Sequence, residues 1–201
     1  VLAVERCAEL VQRAIQFEQK NMLYLKVFGT PKVQFNQQLL TLTHRQIEIL
    51  CILVLHPEGI NLDELHYALY GDRDISEKTL KAEMSQLRTL LPNCILSRPY
   101  KLVCEIQTDF TRAEQSLNAG FLASTFSLYK GSFLAKSESP FLTTWRDCFD
   151  ARLSHLIYQI QDIDPLLKII SRLPERNDAI QRVLELLPEQ SQHRAYFLKL
   201  L

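Results

Sequence analysis

The chain has 201 residues, 47% of them hydrophobic and 23% charged, and its 23 basic and 23 acidic side chains cancel to a formal net charge of zero. That composition suits one large or two small packed cores and excludes a disordered chain; no apolar run approaches the roughly 18 residues that a membrane-spanning helix needs. The five cysteines (Cys7, Cys51, Cys94, Cys104 and Cys148) are odd in number and widely spaced, with no CxxC pair, which excludes a zinc knuckle and a secreted disulfide framework. With no signal peptide in view, the cytoplasm is the expected compartment.

The first 22 residues predict a linker helix. Val4, Cys7, Ala8, Val11, Ala14 and Ile15 recur at three- and four-residue intervals between charged and amide side chains. So narrow a seam either pairs with its twin in a homodimer or packs on the domain that follows. The chain opens without methionine and inside this helical pattern, so it is expected to be the C-terminal part of a longer protein.

The next helix starts at Thr43, where Thr43 and Gln46 fit a capping box; it runs through Ile47, Leu50, Cys51, Leu53 and Val54 and stops before Pro57. Asn61 and Glu64 repeat that logic for a second helix, whose Leu62, Leu65 and Leu69 face a core and which ends at Gly71. Ser76 caps a third helix and Pro92 ends it. Three capped helices at such short spacings agree on one compact trihelical core.

The third helix carries the chemistry. Leu80, Met84, Leu87 and Leu91 make one apolar face; at about 100° per residue the opposite face presents Lys78, Ala82, Ser85, Gln86 and Thr89, with Lys81 and Arg88 on its flank. Small, amide-bearing and cationic side chains on one exposed face suit a helix entering the major groove of double-stranded DNA. Ala82 can meet a thymine methyl and Gln86 an adenine edge, while the cations reach phosphates. A hairpin follows, with Arg98, Tyr100 and Lys101 at its tip, where a wing lies along the neighbouring backbone. Lys81, Ala82, Ser85 and Gln86 are the expected base-edge residues; Lys78, Arg88, Arg98, Tyr100 and Lys101 are the expected phosphate and wing residues. The zero net charge is unevenly spread. Residues 23–74 carry four cations against six acids, whereas residues 75–101 carry five cations (Lys78, Lys81, Arg88, Arg98, Lys101) against Glu77 and Glu83. Phosphate attraction needs a local positive face, not a basic whole. The excess is modest, which argues for dependence on dimerisation. Cys94 and Cys104 fall on the two expected wing strands, near enough to meet.

From Asp109 the pattern is helical to the end. Phe110, Ala113 and Leu117, then Phe121, Leu122, Phe126 and Tyr129, read as a helical hairpin of the TPR kind around Gly120. A loop at residues 137–140 precedes a long helix whose stripe is Phe141, Leu142, Trp145, Phe149, Leu153, Leu156 and Ile157, with Trp145 as a core anchor and Asp147 and Asp150 on a solvated face. Pro165, Pro174 and Pro188 punctuate three further short helices.

Residues 23–106 resemble the OmpR-type winged-helix DNA-binding domain. LYLKVFG (residues 23–29) and KVQFNQQ (32–38) match its small leading sheet, LTLTHRQIEILCILVLHP its first helix, KTLKAEMSQLRTLL its recognition helix and RPYKL its wing. The run from DFTRAEQSLNAGF to TTWRDCFDARL resembles the helical bacterial transcriptional activator domain that follows such winged helices, and the whole plan resembles the C-terminal half of GAF-containing helix-turn-helix regulators. The resemblance implies a mainly α fold with a small β component: a linker helix over 1–22, an OmpR-type winged helix-turn-helix over 23–107, and an all-helical TPR-like domain over 108–201. It also implies RNA polymerase as a further partner through the turn before the recognition helix, although residues 71–75 form a shorter loop than the one some relatives use. Many relatives carry arginine where this chain has Gln86, which favours adenine over guanine there. Pro99 stands where the family favours glycine, and a turn with proline at its second position is expected.

No phosphate-cradling glycine loop, HExxH pair or GxSxG elbow is present, so no enzyme, cofactor or metal is expected. The function expected is sequence-specific DNA binding by a bacterial transcription regulator. The alternative is a protein-interaction module that uses the TPR-like helices and retains the winged helix as scaffold. A small-molecule sensor would require a polar cavity among the C-terminal helices.

Overall fold

A computed structural model describes residues 21–201. The helix expected at the N-terminus, with its Val4 and Val11 seam, lies outside the described residues. The elements in order are β1 (Met22–Lys26), β2 (Lys32–Phe35), β3 (Gln38–Leu40), α1 (His44–Leu55), α2 (Leu62–Tyr70), α3 (Glu77–Leu90), β4 (Ile95–Ser97), β5 (Tyr100–Leu102) and β6 (Glu105–Thr108). Helices then run to the C-terminus: α4 (Asp109–Asn118), α5 (Leu122–Leu128), α6 (Pro140–Gln159), α7 (Ile163–Arg172), α8 (Asn177–Leu186) and α9 (Arg194–Leu198). The architecture is mainly α with a small β component, a winged helix-turn-helix followed by an all-helical region.

The chain divides into two compact units, and the division is not a single cut. Lys32–His66 and Asp74–Gln107 join the strand residues before Lys26 in the first; Lys26–Pro31 and Tyr67–Arg73 group with Thr108–Leu201 in the second. In the first unit the strands order as β3-β2-β1-β6, and β4 and β5 form a separate ribbon. Residues 32–38, matched to the leading sheet, form β2 and then turn back into β3 within it. Phe35 pairs with Gln38, and the two residues between, Asn36 and Gln37, both have positive φ (48° and 68°). That is the backbone of a two-residue hairpin turn, which asparagine tolerates better than most residues.

The helix starts follow local chemistry. Thr43 Oγ1 accepts from Gln46 N at 3.1 Å while Gln46 Oε1 accepts from Thr43 N at 3.1 Å; Asn61 and Glu64 make the same reciprocal pair at 2.9 and 3.1 Å. Ser76 Oγ accepts from Lys78 N. Each box satisfies amide donors that a helix start leaves orphaned. Leu80, Met84, Leu87 and Leu91 are buried, so α3 presents its other side outward.

The second unit is built on rings and on buried charge. Trp145 lies 4.5 Å from Phe133 and 5.3 Å from Phe149 between ring centres, and Phe110 meets it edge-on at 5.6 Å. Asp109, 4% exposed, accepts from Val27 N and Phe28 N at 2.9–3.0 Å, pinning the segment after β1 to the start of α4. Burial pushes the Asp109 carboxyl above its ordinary range, and those amide hydrogen bonds offset part of the push. Asp150 departs from the expected solvated face. It is half-buried and accepts from Tyr129 Oη at 3.1 Å and from Arg176 Nη1 at 3.3 Å. Arg176 also holds Asp178 and the Ser154 hydroxyl. A carboxylate at this depth needs such partners, because unpaired burial of a charge costs several kcal/mol.

Candidate nucleic-acid interface

The face of α3 that points away from its buried leucines carries Lys78, Lys81, Ala82, Ser85, Gln86 and Thr89, all exposed. The helix is seated by Ser76 at its start and ends at Leu90, with Leu91 as its C-cap before Pro92, so the face is short. Two of its side chains are held. Lys81 Nζ donates to Glu77 Oε2 at 2.8 Å across one turn, with both side chains about half exposed. Lys81 holds the Glu77 carboxyl below its ordinary range, and Glu77 raises Lys81 in turn. A pair this exposed is weak, so a phosphate can displace the carboxylate at little cost. Gln86 Oε1 accepts from Gln46 Nε2 at 3.0 Å; Gln46 is 3% exposed and is the same residue that closes the α1 capping box. One end of the Gln86 amide is thereby fixed to the scaffold and its NH2 group is left to donate outward.

The wing is the β4–β5 ribbon, paired Ile95 with Leu102, Leu96 with Lys101 and Ser97 with Tyr100. That register puts Arg98 and Pro99 at the two central places of the turn, joined by a cis peptide bond. Pro99 therefore takes the third position of the turn and not the second, because the strands already pair at Ser97 and Tyr100. Arg98 is exposed at the tip, whereas Tyr100 and Lys101 are half-buried. The ribbon is fastened to the trihelical core. Tyr100 and Ile60 exchange both backbone hydrogen bonds at 2.9 Å, and Gly59, at φ +96°, lies where an added Cβ would meet Pro99 Cγ at 2.6 Å. Arg88 is half-buried, with its guanidinium carbon 5.6 Å from the centre of the Tyr100 ring. That contact ties α3 to the wing and leaves Arg88 less free than a surface cation.

Cys94 and Cys104 flank the ribbon strands instead of lying on them, and both are free thiols. Burial pushes Cys94 up to about 12, with Cys104 beside it adding to the shift; burial raises Cys104 as well. Burial thus disfavours the reactive thiolate at both positions.

Sequence reasoning missed Gln46, Glu77 and Gly59 as parts of this surface. The Lys81 partner was legible from its i, i+4 spacing to Glu77. Gln46 lies 40 residues from Gln86 in sequence and carried only its capping signal.

In comparison with known proteins, no family model matches the chain. It is 30% identical over 153 residues to an uncharacterized 47.3 kDa protein in the thcA 5'region of Rhodococcus erythropolis, a match covering 76% of this chain and 35% of that protein. The chain thus spans about a third of the length of that curated relative. Among solved structures it is similar to Mycobacterium tuberculosis EmbR, determined in complex with a low affinity phosphopeptide, at 17% identity and a TM-score of 0.53 over 83% of this chain and 55% of that one. The fold is accordingly an OmpR-type winged helix-turn-helix followed by an all-helical domain.

Proposed function

We propose that the chain is the DNA-binding and helical part of a bacterial transcription regulator that acts in the cytoplasm and reads a specific duplex site through α3. The observation that carries this reading is the exposed face of α3 set beside a wing that Ile60 and Gly59 fasten to the core. In it Lys81, Ala82, Ser85 and Gln86 meet base edges, Lys78, Arg98 and Lys101 meet phosphates, and Arg88 and Tyr100 tie the wing to α3. Gln86, with its oxygen engaged by Gln46, donates to an acceptor such as a purine N7.

The local charge excess is small, so tight binding requires two copies on half-sites about 10–11 base pairs apart. The proposal does not route RNA polymerase contact through residues 71–75, a turn shorter than the loop some relatives use. Arg73 in that turn already bonds Glu138 and the carbonyls of Leu69 and Tyr70, so it is not spare for a partner.

The test is selection of sites from random duplexes by the 201-residue chain, followed by mobility shifts at low and moderate salt. The expected result is a recovered two-half-site sequence bound at least about 10³-fold more tightly than unrelated duplex at moderate salt. Recovery of no sequence, with a shift at low salt alone, would transfer the function to the alternative, protein contact through the helical domain.

A further inference from the structure

The second unit contains a cavity that the DNA-binding reading leaves unused. It has a volume of about 510 Å³ and lies between α5, the end of α6 and α7. Its walls are Leu122, Phe126, Ile160, Pro165, Ile169 and Leu173, joined by the small side chain of Ala123. Volume and lining match small-molecule sites, which run from about 300 to 1,000 Å³ and are mostly apolar with few polar groups. Among the described residues the only charged side chains on the lining are Lys168 and Arg172, one turn apart on α7. Among the described residues neither makes an ion pair, in a unit where Arg152, Arg176 and Arg182 each do. Both are exposed, so their stems border the apolar wall while their charges remain in water.

An apolar chamber edged by two cations without ion pairs, and with no acid on its lining among the described residues, selects for a ligand of matching polarity. We infer that this cavity binds a small amphipathic anion: a hydrocarbon body of medium length carrying one carboxylate or phosphate, held by Lys168 and Arg172. Leu122, Ala123 and Phe126 belong to α5, whereas Lys168, Ile169, Arg172 and Leu173 belong to α7 and its C-cap, so an occupant touches both helices at once. It would couple a chemical signal to the helical unit. This inference does not depend on DNA binding, and its readout is separate.

The test is titration calorimetry of the 201-residue chain with decanoate below its micelle concentration, against decyltrimethylammonium as a charge-reversed probe of the same hydrocarbon length. Expected is saturable 1:1 binding of decanoate and binding of the cation weaker by about tenfold or more. Lys168→Glu/Arg172→Glu should lower decanoate affinity by at least about tenfold, since both residues are on the surface and the fold does not use them. Ala123→Trp, which fills the mouth from an exposed position, should abolish binding of both probes, with unchanged thermal unfolding of each variant as the control on folding. Decyl phosphate in place of decanoate distinguishes the two headgroups. The inference is overturned by equal affinity for the anionic and cationic probes, by decanoate binding that survives either variant, or by no saturable binding.

Discussion

The exposed face of α3 and the interior of the helical unit handle charge in opposite ways. On α3, Lys81 is 54% exposed and keeps a single weak partner, and Lys78 and Arg98 stand in water. In the helical unit, Arg176 is 10% exposed and serves Asp150, Asp178 and Ser154 together. Both are cations on or beside helices, and sequence treats them alike. What separates them is who supplies the counter-charge. A buried guanidinium must find it within the protein, whereas a reading face does better to leave it to the ligand, since every internal partner has to be displaced on binding.

Arg176→Ala offers the sharpest way to break that contrast. Removing the cation leaves Asp150 and Asp178 without their main partner, and urea unfolding should show a loss of about 3–5 kcal/mol. A loss below about 1 kcal/mol would mean that water screens the cluster as it screens Lys81, and the contrast would fall. Gly59→Ala asks whether the reading face is as rigidly mounted as the backbone bonds suggest. Alanine at φ +96°, against Pro99, should cost about 1–3 kcal/mol in the same assay. No loss would show that the wing turn yields.

The readout itself is tested on Lys81 and Gln86. Each changed to alanine should lose about 1–3 kcal/mol of binding concentrated at particular base pairs, as measured by site selection. Gln46→Glu sharpens this test. It retains the acceptor for the Thr43 cap but offers Gln86 an oxygen in place of a donor, so the Gln86 amide should reverse and change preference at one base pair alone. Preferences unchanged in all three variants would remove these residues from the readout. The smallest effect is expected at the wing. Arg98→Ala or Lys101→Ala should weaken binding to all sequences alike and reduce the slope of log K against log salt by about one. Wild-type slopes in both would rule out wing–phosphate contact.

What the sequence made legible was local. The capping residues Thr43, Asn61 and Ser76 announced three helix starts with signals two or three residues long, and all three are made as expected. The apolar stripe Leu80, Met84, Leu87 and Leu91 announced which side of α3 is buried. What stayed hidden depends on distant partners. Asp150 looks like a surface acid until Tyr129 and Arg176, 21 and 26 residues away, close over it. The β2–β3 turn was missed because Asn36 and Gln37 adopt positive φ without a glycine to advertise it. The exposure of Lys78, Ala82 and Ser85 followed from helical spacing, but the tether on Gln86 did not, since no local pattern links residues 46 and 86.

The interleaving of the two units bears on how the chain is made. During synthesis Lys26–Pro31 and Tyr67–Arg73 leave the ribosome long before Thr108–Leu201, the segment with which they cluster. Val27 and Phe28 cannot give their amide protons to Asp109 until that residue emerges, and the last turn of α2 waits longer still for Ser139, whose hydroxyl donates to Ala68 O at 2.7 Å. The first unit has all its segments by Gln107 and can mature first, whereas the second has to wait for its late helices to reach segments made long before. Completion has to run backwards along the chain, with the late helices closing on segments that have stood open, and a nascent chain arrested after residue 107 would present those segments to chaperones and proteases.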